Sequence, residues 1–483
     1  MKQKLTAALP KVPTGIYGLD EITGGGLPKG RPTLVCGSAG CGKTLFAMQF
    51  LAKGISEYNE PGVFMSFEET KTDLAQNVSS LGIDLDKMVR DKKLRIDHVR
   101  IERSEIEETG EYDLEGLFIR LNYAIDSIGA KRVVLDTIES IFGGIENTSM
   151  LRSELRRLFQ WLRDKGVTAV ITGERGEKTL TRQGLEEYVS DCVILLDFRV
   201  IEQIATRRLR IVKYRGSTHG TNEYPFLIDE SGISVVPVTS LRLEHTISNQ
   251  VISTGLADLD HLFQKGGVYK GSSILVSGSA GTAKTILASC FAKSSCMRNE
   301  PTLYFSFEES PRQLIRNMQS VGINLNPFIK SGLLIIHSSR PSLQGLERHL
   351  LIMHQLIAKH KPKTVIVDPI SSLVSIGSIH EVRDMLVRLI DLLKTNCINA
   401  FFSALTHEAT MEEKDLTVNA VSSLADIWIK LKNEDKGLGR ARSLCIVKAR
   451  GIGHRTEAQH FNISGKGIMI IKEKEEKAGR KKS

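Results

Sequence analysis

The chain has 483 residues, which suggests two or three domains rather than one. Hydrophobic residues make up 41% and charged residues 25% of the chain, a balance typical of a globular protein, and it excludes a largely disordered chain. The net charge of +9 suits phosphate-bearing ligands, but no long basic run lies within the body of the chain, so charge alone does not favour a nucleic-acid partner.

The cysteines and the hydropathy indicate a reduced, aqueous compartment. The seven cysteines form no CxxC pair, and none stands near a histidine at zinc spacing. The opening residues MKQKLTAALPKVPTG lack the apolar stretch of a signal peptide, and no uninterrupted apolar run reaches the roughly 18 residues that span a bilayer. We therefore expect a soluble, cytoplasmic protein with no membrane partner.

The first predicted element with a clear chemical role is a glycine-rich loop between a strand and a helix, in PTLVCGSAGCGKTLFAMQFLAKG. Glycines let backbone N–H groups converge on phosphate oxygens, and the start of the helix adds positive potential. Lys43 would bring positive charge to the phosphates, and the Thr44 hydroxyl would ligate Mg²⁺. The predicted ATP-binding residues are Gly37, Ser38, Ala39, Gly40, Cys41, Gly42, Lys43 and Thr44.

Two acidic motifs follow along the chain. Glu68 and Glu69 come after a short strand-like run, where a carboxylate could accept a proton from the group that attacks the γ-phosphate. Repulsion between the two would raise the pKa of one of them. Alternatively, they are ordinary acids at a helix N-terminus. Asp136 ends the apolar strand VVLD, where its carboxylate would bind Mg²⁺, unless it merely belongs to a turn.

A basic motif lies late in this half of the chain. Lys213 and Arg215 alternate on a strand-like segment and therefore point to the same side, with His219 further on. Two cations on one face usually form a solvated surface. In a RecA-type domain, however, cations this late in the chain could reach the ATP held by the next subunit and stabilise charge in the transition state.

The same series of motifs occurs a second time in the same order, so the chain is a duplication. The second predicted phosphate loop consists of Gly278, Ser279, Ala280, Gly281, Thr282, Ala283, Lys284 and Thr285. The repeated acidic and basic residues are Glu308, Glu309, Asp368, Lys448, Arg450 and His454. Thr285 and Asp368 would bind Mg²⁺ in the second half as Thr44 and Asp136 would in the first.

Ala283 is a departure from the phosphate-loop motif, which has glycine at this position. We expect the position to begin the helix, where alanine is favourable and a left-handed backbone is not required. ATP binding should then survive. Alternatively, the extra methyl group could crowd the phosphate and leave a degenerate site that binds ATP weakly or not at all.

Each half alternates short β-branched runs such as TAVIT with amphipathic stretches such as SMLRSELRRLFQWLRDKG. This alternation predicts an α/β fold with two tandem RecA-like P-loop NTPase domains, each a mostly parallel sheet with helices on both faces. We place the first ATPase domain at 1–245, the second domain at 246–471, and a disordered charged tail at 472–483.

Taken together, the motifs resemble those of KaiC, a family of tandem-domain circadian clock ATPases and autokinases. The resemblance rests on TG…LD, GSAGCGKT, FSFEE, VVLD and KYRGSTH, and it covers the chain from about residue 12 to 470. It implies a homohexameric ring of two tiers, with ATP and Mg²⁺ at the subunit interfaces. It also implies ATP hydrolysis in the first tier and autophosphorylation in the second.

A pair of hydroxyl groups sets the second half apart. Ser422 and Ser423 stand where the first half has Glu187 and Tyr188, and a hydroxyl can accept a γ-phosphoryl group whereas a carboxylate would repel it. The pair stands where KaiC proteins have the adjacent Ser and Thr that they phosphorylate, with Ser423 in place of the Thr, and Thr417 matches a third hydroxyl position upstream. Alternatively, these serines merely cap the following segment or lie in a loop.

The resemblance also bears on partners and on competing functions. Beyond Ile471 only a charged tail remains, without the longer segment through which KaiA stimulates KaiC proteins, so we do not expect regulation by KaiA. A KaiB-like protein could dock on the first ring. A recombinase-like or helicase-like ATPase would need a DNA-binding domain or basic, aromatic loops, and neither is evident. The third reading is a signalling scaffold gated by nucleotide, with negligible catalysis.

Overall fold

The structure is a computed structural model that describes residues 9–99, 114–142, 148–176, 190–201, 204–236, 248–343, 345–406, 421–436, 439–465 and 467–471. The chain divides into two compact units, Met1–Ser240 and Leu241–Ser483. Each unit contains a nine-stranded sheet and a separate two-stranded sheet. The predicted pair of tandem α/β domains is therefore confirmed. None of the helices in these ranges has the length and apolar character that crossing a membrane requires.

The first unit is built around a large sheet with the strand order β11-β10-β9-β8-β3-β7-β6-β4-β5. Its strands are β1 Lys11–Val12, β2 Leu27–Pro28, β3 Pro32–Gly37, β4 Gly62–Ser66, β5 Leu94–His98, β6 Arg132–Asp136, β7 Thr168–Glu174, β8 Cys192–Ile201, β9 Ile204–Tyr214, β10 Glu223–Asp229 and β11 Gly232–Val235. The strands from β8 to β5 in this order run parallel, whereas β9, β10 and β11 add antiparallel hairpins at one edge.

The central strand β3 shows why the apolar run PTLVCG folds in this way. All of its residues are buried, and its side chains alternate between two hydrophobic clusters, with Val35 in one and Leu34 and Cys36 in the other. A parallel sheet buries both faces, so it needs strands that are apolar nearly throughout. The helices that cover these faces follow the strands in sequence.

The helices of the first unit include short connecting turns and longer amphipathic segments. They are α1 Leu19–Ile22, α2 Lys43–Tyr58, α3 Lys71–Ser79, α4 Leu85–Arg90, α5 Glu115–Ile128, α6 Ile138–Phe142 and α7 Thr148–Asp164. A capping box begins α3, because Thr70 and Asp73 satisfy each other's backbone N–H groups. This local signal fixes the direction of the chain directly after the Glu68-Glu69 pair.

The second unit repeats the architecture, with the sheet order β16-β15-β17-β18-β14-β19-β20-β21-β22. Its strands are β12 Val251–Ile252, β13 Val268–Tyr269, β14 Ser273–Gly278, β15 Thr302–Ser306, β16 Leu334–Ser338, β17 Thr364–Asp368, β18 Asn399–Leu405, β19 Ile427–Lys436, β20 Gly439–Ala449, β21 Gln459–Ser464 and β22 Gly467–Ile470. Its α-helices are α8 Ala257–Asp260, α9 Lys284–Met297, α10 Pro311–Ser320, α11 Asn326–Lys330, α12 Leu346–His360 and α13 Ile379–Thr395. Short 3₁₀ helices span Pro341–Leu343 and Ile370–Ser375.

A buried arginine distinguishes the core of the first unit. Arg132, the first residue of β6, has no exposed surface. Its guanidinium donates to the Glu60 carboxylate at 2.7 Å and to the carbonyl oxygens of Phe50 and Pro13 at 2.8 Å each. A Cβ atom at Gly54 in α2 would lie 2.5 Å from the Arg132 Cδ, so only glycine leaves room for this side chain. The charge is therefore fully partnered, as a buried charge must be.

The corresponding positions of the second unit contain two small side chains instead. Ser295 on α9 takes the place of Gly54, and Thr364 on β17 takes the place of Arg132. Their hydroxyl oxygens lie 2.7 Å apart in a hydrogen bond. Gly54 with Arg132, and Ser295 with Thr364, thus form matched pairs of one helix residue and one strand residue. The large side chain of Arg132 on the strand requires glycine on the helix.

This pairing predicts a coupling that a double-mutant cycle can measure. Gly54→Ser should destabilise the first unit by about 1–3 kcal/mol, because the added atoms overlap with Arg132. In an Arg132→Thr background the same change should cost less than about 1 kcal/mol, because the overlap is gone. The measurement is urea unfolding, followed by Trp161 fluorescence in protein whose other tryptophan, Trp428, is changed to phenylalanine. Equal costs in the two backgrounds would contradict the coupling.

Candidate functional site

The first predicted phosphate loop connects β3 to α2. Its backbone is left-handed at Gly40 (φ 72°) and Gly42 (φ 103°), a conformation that glycine adopts without strain. The Lys43 Nζ donates to the carbonyl oxygens of Gly37 (2.9 Å) and Ser38 (3.1 Å), so the ammonium group lies within the curve of the loop. This is the backbone geometry that the motif requires for binding phosphate.

The carboxylate of Asp136 lies beside this loop. Asp136 ends β6, is buried, and accepts hydrogen bonds from the hydroxyl groups of Thr172 and Thr44. Burial raises the pKa of Asp136 above its usual value, while these two hydrogen bonds and the charge of Lys43 act in the opposite direction. The structure thus brings together Thr44 and Asp136, the two predicted metal ligands of the first half.

The two glutamates of the first half have different surroundings. Glu68 Oε1 accepts hydrogen bonds from the hydroxyl groups of Thr137 (3.0 Å) and Ser140 (2.8 Å), which follow β6. Glu69 instead accepts from Asn77 Nδ2 on α3 (3.2 Å). Burial raises the pKa of Glu69, and nearby carboxylates, Glu68 among them, raise it further. Repulsion within the pair therefore contributes, but burial is the larger cause.

In the second unit the phosphate loop, the glutamate pair and the strand-end aspartate line one cavity of about 690 Å³. Its walls include the loop residues 280–285, the glutamates Glu308 and Glu309, and Asp368. This volume falls within the range of small-molecule sites. The Lys284 Nζ donates to the carbonyl oxygens at positions 278 (2.7 Å) and 279 (2.8 Å), in the same manner as Lys43.

The charged groups of this cavity also have buried partners. Asp368, at the end of β17, accepts hydrogen bonds from the hydroxyl groups of Tyr304 (2.7 Å) and Ser403. Burial lowers the pKa of Lys284, and the negative charges of Asp368 and Glu308 act in the opposite direction. The two carboxylates therefore favour the charged form of Lys284 in a buried setting that disfavours it.

The sequence analysis missed three of the hydroxyl partners of the strand-end aspartates, Thr172, Ser403 and Tyr304. Thr172 on β7 and Ser403 on β18 occupy corresponding positions of the two halves. A signal was present, since both halves have a hydroxyl at this point of the repeat. Tyr304 left no such signal, because the first half has Phe64 at the corresponding position.

Comparisons with known proteins agree with this arrangement. A family model described as "ATPase: KaiC" matches residues 12–240 and 252–475. The chain belongs to the KaiC family of ATPases. Circadian clock protein KaiC2 of Synechocystis is 54% identical over 96% of this chain and 82% of its own length. The circadian clock oscillator protein KaiC of Parathermosynechococcus lividus is 38% identical over 96% of this chain and 85% of its own.

Membership of the KaiC family confirms the resemblance that the motifs indicated. A further relative, the KaiC oscillator protein of Synechococcus elongatus, is 38% identical over 96% of this chain and 89% of its own length. The protein is thus a nucleotide-binding enzyme of the KaiC clock ATPase and autokinase type. The recombinase-like alternative is not favoured.

The prediction for the backbone at Ala283 was wrong. Ala283 is the residue that caps α9, and its dihedrals are left-handed (φ 79°, ψ 23°), like those of Gly42 (φ 103°, ψ 23°). A side chain in this conformation costs about 1–2 kcal/mol. Ala283 belongs to the hydrophobic cluster of the second unit. At the corresponding position of the first unit, a Cβ atom added to Gly42 would lie 2.9 Å from Ile228 Cδ1. The extra methyl group of Ala283 therefore packs against apolar side chains.

A cross-strand pair that the sequence analysis missed contacts the second loop. Asn433 on β19 and Arg442 on β20 lie opposite each other. Asn433 Nδ2 donates to the carbonyl oxygen of Ala280 (3.3 Å), and Arg442 Nε donates to that of Gly281 (3.1 Å). The corresponding pair in the first unit is Phe198 and Arg207, whose side chains stack on each other. The arginine recurs in both halves, so comparing the repeats could have revealed Arg442, whereas Asn433 stands where the first half has Phe198 and left no such signal.

The late basic residues of the first half lie far from that half's own loop. The Arg215 N–H donates to the carbonyl oxygen of Asp191 (2.8 Å), just before β8, and β8 begins beside the amino end of β3. Lys213 lies on β9, two residues before Arg215, which follows the strand. The His219 ring stacks on Tyr214, the last residue of β9. The loop follows the opposite end of β3, about 17 Å away at the rise of an extended strand.

The candidate acceptors of the second half contact its late basic residues. The Lys448 Nζ donates to the carbonyl oxygen of Ser422 (2.5 Å), and the Arg450 guanidinium donates to that of Ser423 (2.7 Å). The cations thus hold the backbone of the two serines in place. Burial lowers the pKa of Lys448, and the charge of Arg450 lowers it further.

This group, too, lies at the end of the central strand opposite to the loop. The Asp426 N–H donates to the carbonyl oxygen of Ser273 (2.9 Å), where β14 begins, and the loop follows where β14 ends. His454 lies in the segment that follows β20, and its Nδ1 is 3.2 Å from the Ile452 carbonyl oxygen. Thr417 lies outside the described residues.

The strain at Ala283 predicts the effect of a single exchange. Ala283→Gly should stabilise the second unit by about 1 kcal/mol, because glycine takes the left-handed backbone without the steric cost. The matched change Gly42→Ala should destabilise the first unit by a similar amount. Urea unfolding measures both, with Trp428 reporting on the second unit and Trp161 on the first. A destabilised Ala283→Gly variant would contradict the strain at this position.

Proposed function

We propose that both halves bind Mg·ATP, that the first domain (1–245) hydrolyses it, and that the second domain (246–471) transfers the γ-phosphoryl group to Ser422 or Ser423 of a neighbouring copy. The observation that carries the proposal is the convergence of four groups in each unit. A loop lysine, a loop threonine, a strand-end aspartate and a glutamate pair meet at the carboxyl edge of one parallel sheet, where ligands of such sheets bind.

The residues present fit a magnesium ion that is shared with the nucleotide. Thr44 and Asp136 in the first half, and Thr285 and Asp368 in the second, are oxygen ligands of the kind that Mg²⁺ prefers. Across the described ranges there is no group of three or more His, Cys, Asp or Glu that could hold a metal alone. Phosphate oxygens and water would complete the shell, and the ion would neutralise charge on the phosphates.

The different partners of the two glutamates support a division of roles. Glu68 and Glu308 accept hydroxyl hydrogen bonds from residues that follow the strand-end aspartates, next to the proposed metal. Glu69 and Glu309 are held by asparagines on the following helix instead. We assign proton acceptance to Glu68 and Glu308, and an electrostatic role in the same sites to Glu69 and Glu309.

In the second half, the acceptor hydroxyl of Ser422 or Ser423 attacks the γ-phosphorus. The bond from the serine Oγ to phosphorus forms as the bond to the β,γ-bridging oxygen breaks, and ADP leaves. The hydroxyl proton passes to the Glu308 carboxylate. In the first half, water takes the place of the serine, its proton passes to Glu68, and inorganic phosphate is released. The loop lysines stabilise the charge that develops on the phosphoryl oxygens.

The direction of the central strands supports transfer between copies. The acceptors and the late cations lie at the amino end of β14, whereas the loop follows its carboxyl end, about 17 Å away. A chain therefore offers its serines and cations on one side and its ATP on the other. We propose a homohexamer in which Lys213, Arg215 and His219, and likewise Lys448, Arg450 and His454, face the neighbour's ATP.

Family membership supports the remaining parts of the proposal. We include Thr417 as a third hydroxyl that can carry phosphate, and a KaiB-like protein as a partner of the first ring. These elements rest on the KaiC relatives rather than on contacts within this chain.

Labelling with γ-labelled ATP tests both activities at once. Purified protein incubated with Mg²⁺ should release phosphate and carry label on Ser422 or Ser423, as peptide mapping would show. Ser422→Ala with Ser423→Ala should remove the label and leave much of the phosphate release. Lys43→Ala should abolish hydrolysis by the first half. Phosphate release without labelled protein would leave an ATPase and contradict the kinase assignment.

Subunit mixing tests transfer between copies. A Lys284→Ala chain lacks the second loop lysine, and a Ser422→Ala/Ser423→Ala chain lacks these two acceptors, so neither should carry label at positions 422 and 423 when incubated alone. After co-assembly, the Lys284→Ala chain should carry label, because its neighbour supplies the ATP site. Differently tagged wild-type chains would show that subunits exchange under the same conditions. If exchange occurs and no label appears, transfer between copies is wrong.

A further inference from the structure

A serine hydroxyl donates a hydrogen bond to the first glutamate of the pair in both units. Ser140 Oγ lies 2.8 Å from Glu68 Oε1, and Ser372 Oγ lies 3.0 Å from Glu308 Oε1. Each serine stands at the fourth position after the strand-end aspartate, in the segments DTIES and DPISS. The same contact therefore occurs twice, in local sequences that differ at the second and fourth positions.

We infer that Ser140 and Ser372 are positioning residues that orient Glu68 and Glu308 toward the group that loses its proton. This inference rests on the proposed function, since it takes these two glutamates as the proton acceptors. A hydrogen bond to one carboxylate oxygen fixes the orientation of the group, and so of its second oxygen. A general base works only within hydrogen-bond reach of the proton it removes, so a fixed orientation raises the fraction of productive encounters.

The alternative is that these hydroxyls only stabilise their own helices. Serine inside a helical segment commonly bonds to a carbonyl oxygen three or four residues earlier. Ser375 does so, with its Oγ 2.7 Å from the Ser372 carbonyl oxygen. Ser372 and Ser140 instead donate to a glutamate that follows the neighbouring strand of the sheet. That contact is long-range and does not serve a helix end.

The number of donors differs between the two sites. In the first unit, Thr137 also donates to Glu68 (3.0 Å) and lies 3.3 Å from the Ser140 hydroxyl. Pro369 stands at the corresponding position of the second unit and carries no hydroxyl. Within the described part of the chain, Ser372 is the one hydroxyl that donates to Glu308, since the adjacent Ser371 hydroxyl instead accepts from the Leu405 N–H. Loss of Ser372 should slow the second site more than loss of Ser140 slows the first.

The test separates the rate constant from ATP affinity in the full-length protein. Ser372→Ala should lower the maximal rate of protein labelling about tenfold, the effect of losing one hydrogen bond to a charged group, with the half-saturating ATP concentration unchanged. Ser372→Thr restores the hydroxyl and should recover most of the rate. Ser375→Ala, which removes a neighbouring hydroxyl that bonds only locally, is the matched control and should label at the wild-type rate.

The first site is tested through phosphate release in a Lys284→Ala background, which confines turnover to that site. Ser140→Ala should lower the maximal rate less than tenfold, because Thr137 still donates to Glu68. Thr137→Ala with Ser140→Ala should lower it about tenfold or more. Unfolding followed by tryptophan fluorescence checks that each variant is folded. A loss of rate that tracks lost stability and that threonine does not restore would show a structural role and overturn the inference.

Substituting the glutamates separates the assignment of the base from the assignment of the positioning residue. If Glu308→Gln still labels at the wild-type rate, the assignment of Glu308 as base is wrong, and the inference falls with it. If Glu308→Gln abolishes labelling while Ser372→Ala labels normally, the base assignment stands and only the positioning role is wrong. The same comparison applies to Glu68→Gln and the Thr137→Ala/Ser140→Ala pair.

Discussion

The two sites depend on the parallel direction of four neighbouring strands. In the first unit, β3, β7, β6 and β4 lie side by side, and their carboxyl ends bring together the loop lysine, Thr172, Asp136 and Glu68. The spacing of about 4.8 Å between strands sets the distances between these groups before any side chain is chosen. A reversed strand would move its reactive residue to the other edge of the sheet. This constraint explains why the two halves share one arrangement although Thr282 stands in the second half where the first has Cys41, and Pro369 where the first has Thr137.

The same direction also keeps two sets of groups apart. The end of β14 that lacks the loop holds Ser422, Ser423, Lys448 and Arg450, joined by hydrogen bonds between cations and serine carbonyl oxygens. A rigid strand cannot bring its two ends together, so no motion within the sheet unites these residues with the loop of their own chain. The chemistry proposed for the second half would therefore need a second copy of the chain.

The sequence predicted the fold and the phosphate loops because their signals are local. Apolar runs, glycines and a lysine stand next to each other in the chain, and the duplication shows each signal twice. The backbone of Ala283 was predicted wrongly because helix propensity describes the interior of a helix, whereas this residue precedes the first turn and must be left-handed.

Hydrogen-bond partners were missed for a related reason. Ser372, Tyr304 and Arg442 bond to residues that are distant in the sequence, and such contacts leave no mark in the local sequence. The repeat nevertheless shows Ser372 again as Ser140 and Arg442 again as Arg207. Where both halves share a hydroxyl, as at Thr172 and Ser403, an alignment of the repeats could have revealed it. The roles of the site residues, and the place of Thr417, remain predictions.

The matched pairs Gly54 with Arg132 and Ser295 with Thr364 have a consequence for how a duplicated gene changes. Two similar stretches within one gene can exchange segments, and repeated exchange keeps the copies alike. Here, transfer of the loop-helix segment from the second half to the first would place serine against a buried guanidinium. Such recombinants would fold poorly and be lost. This incompatibility in the core disfavours exchange of that segment alone, and so helps to keep the two halves different.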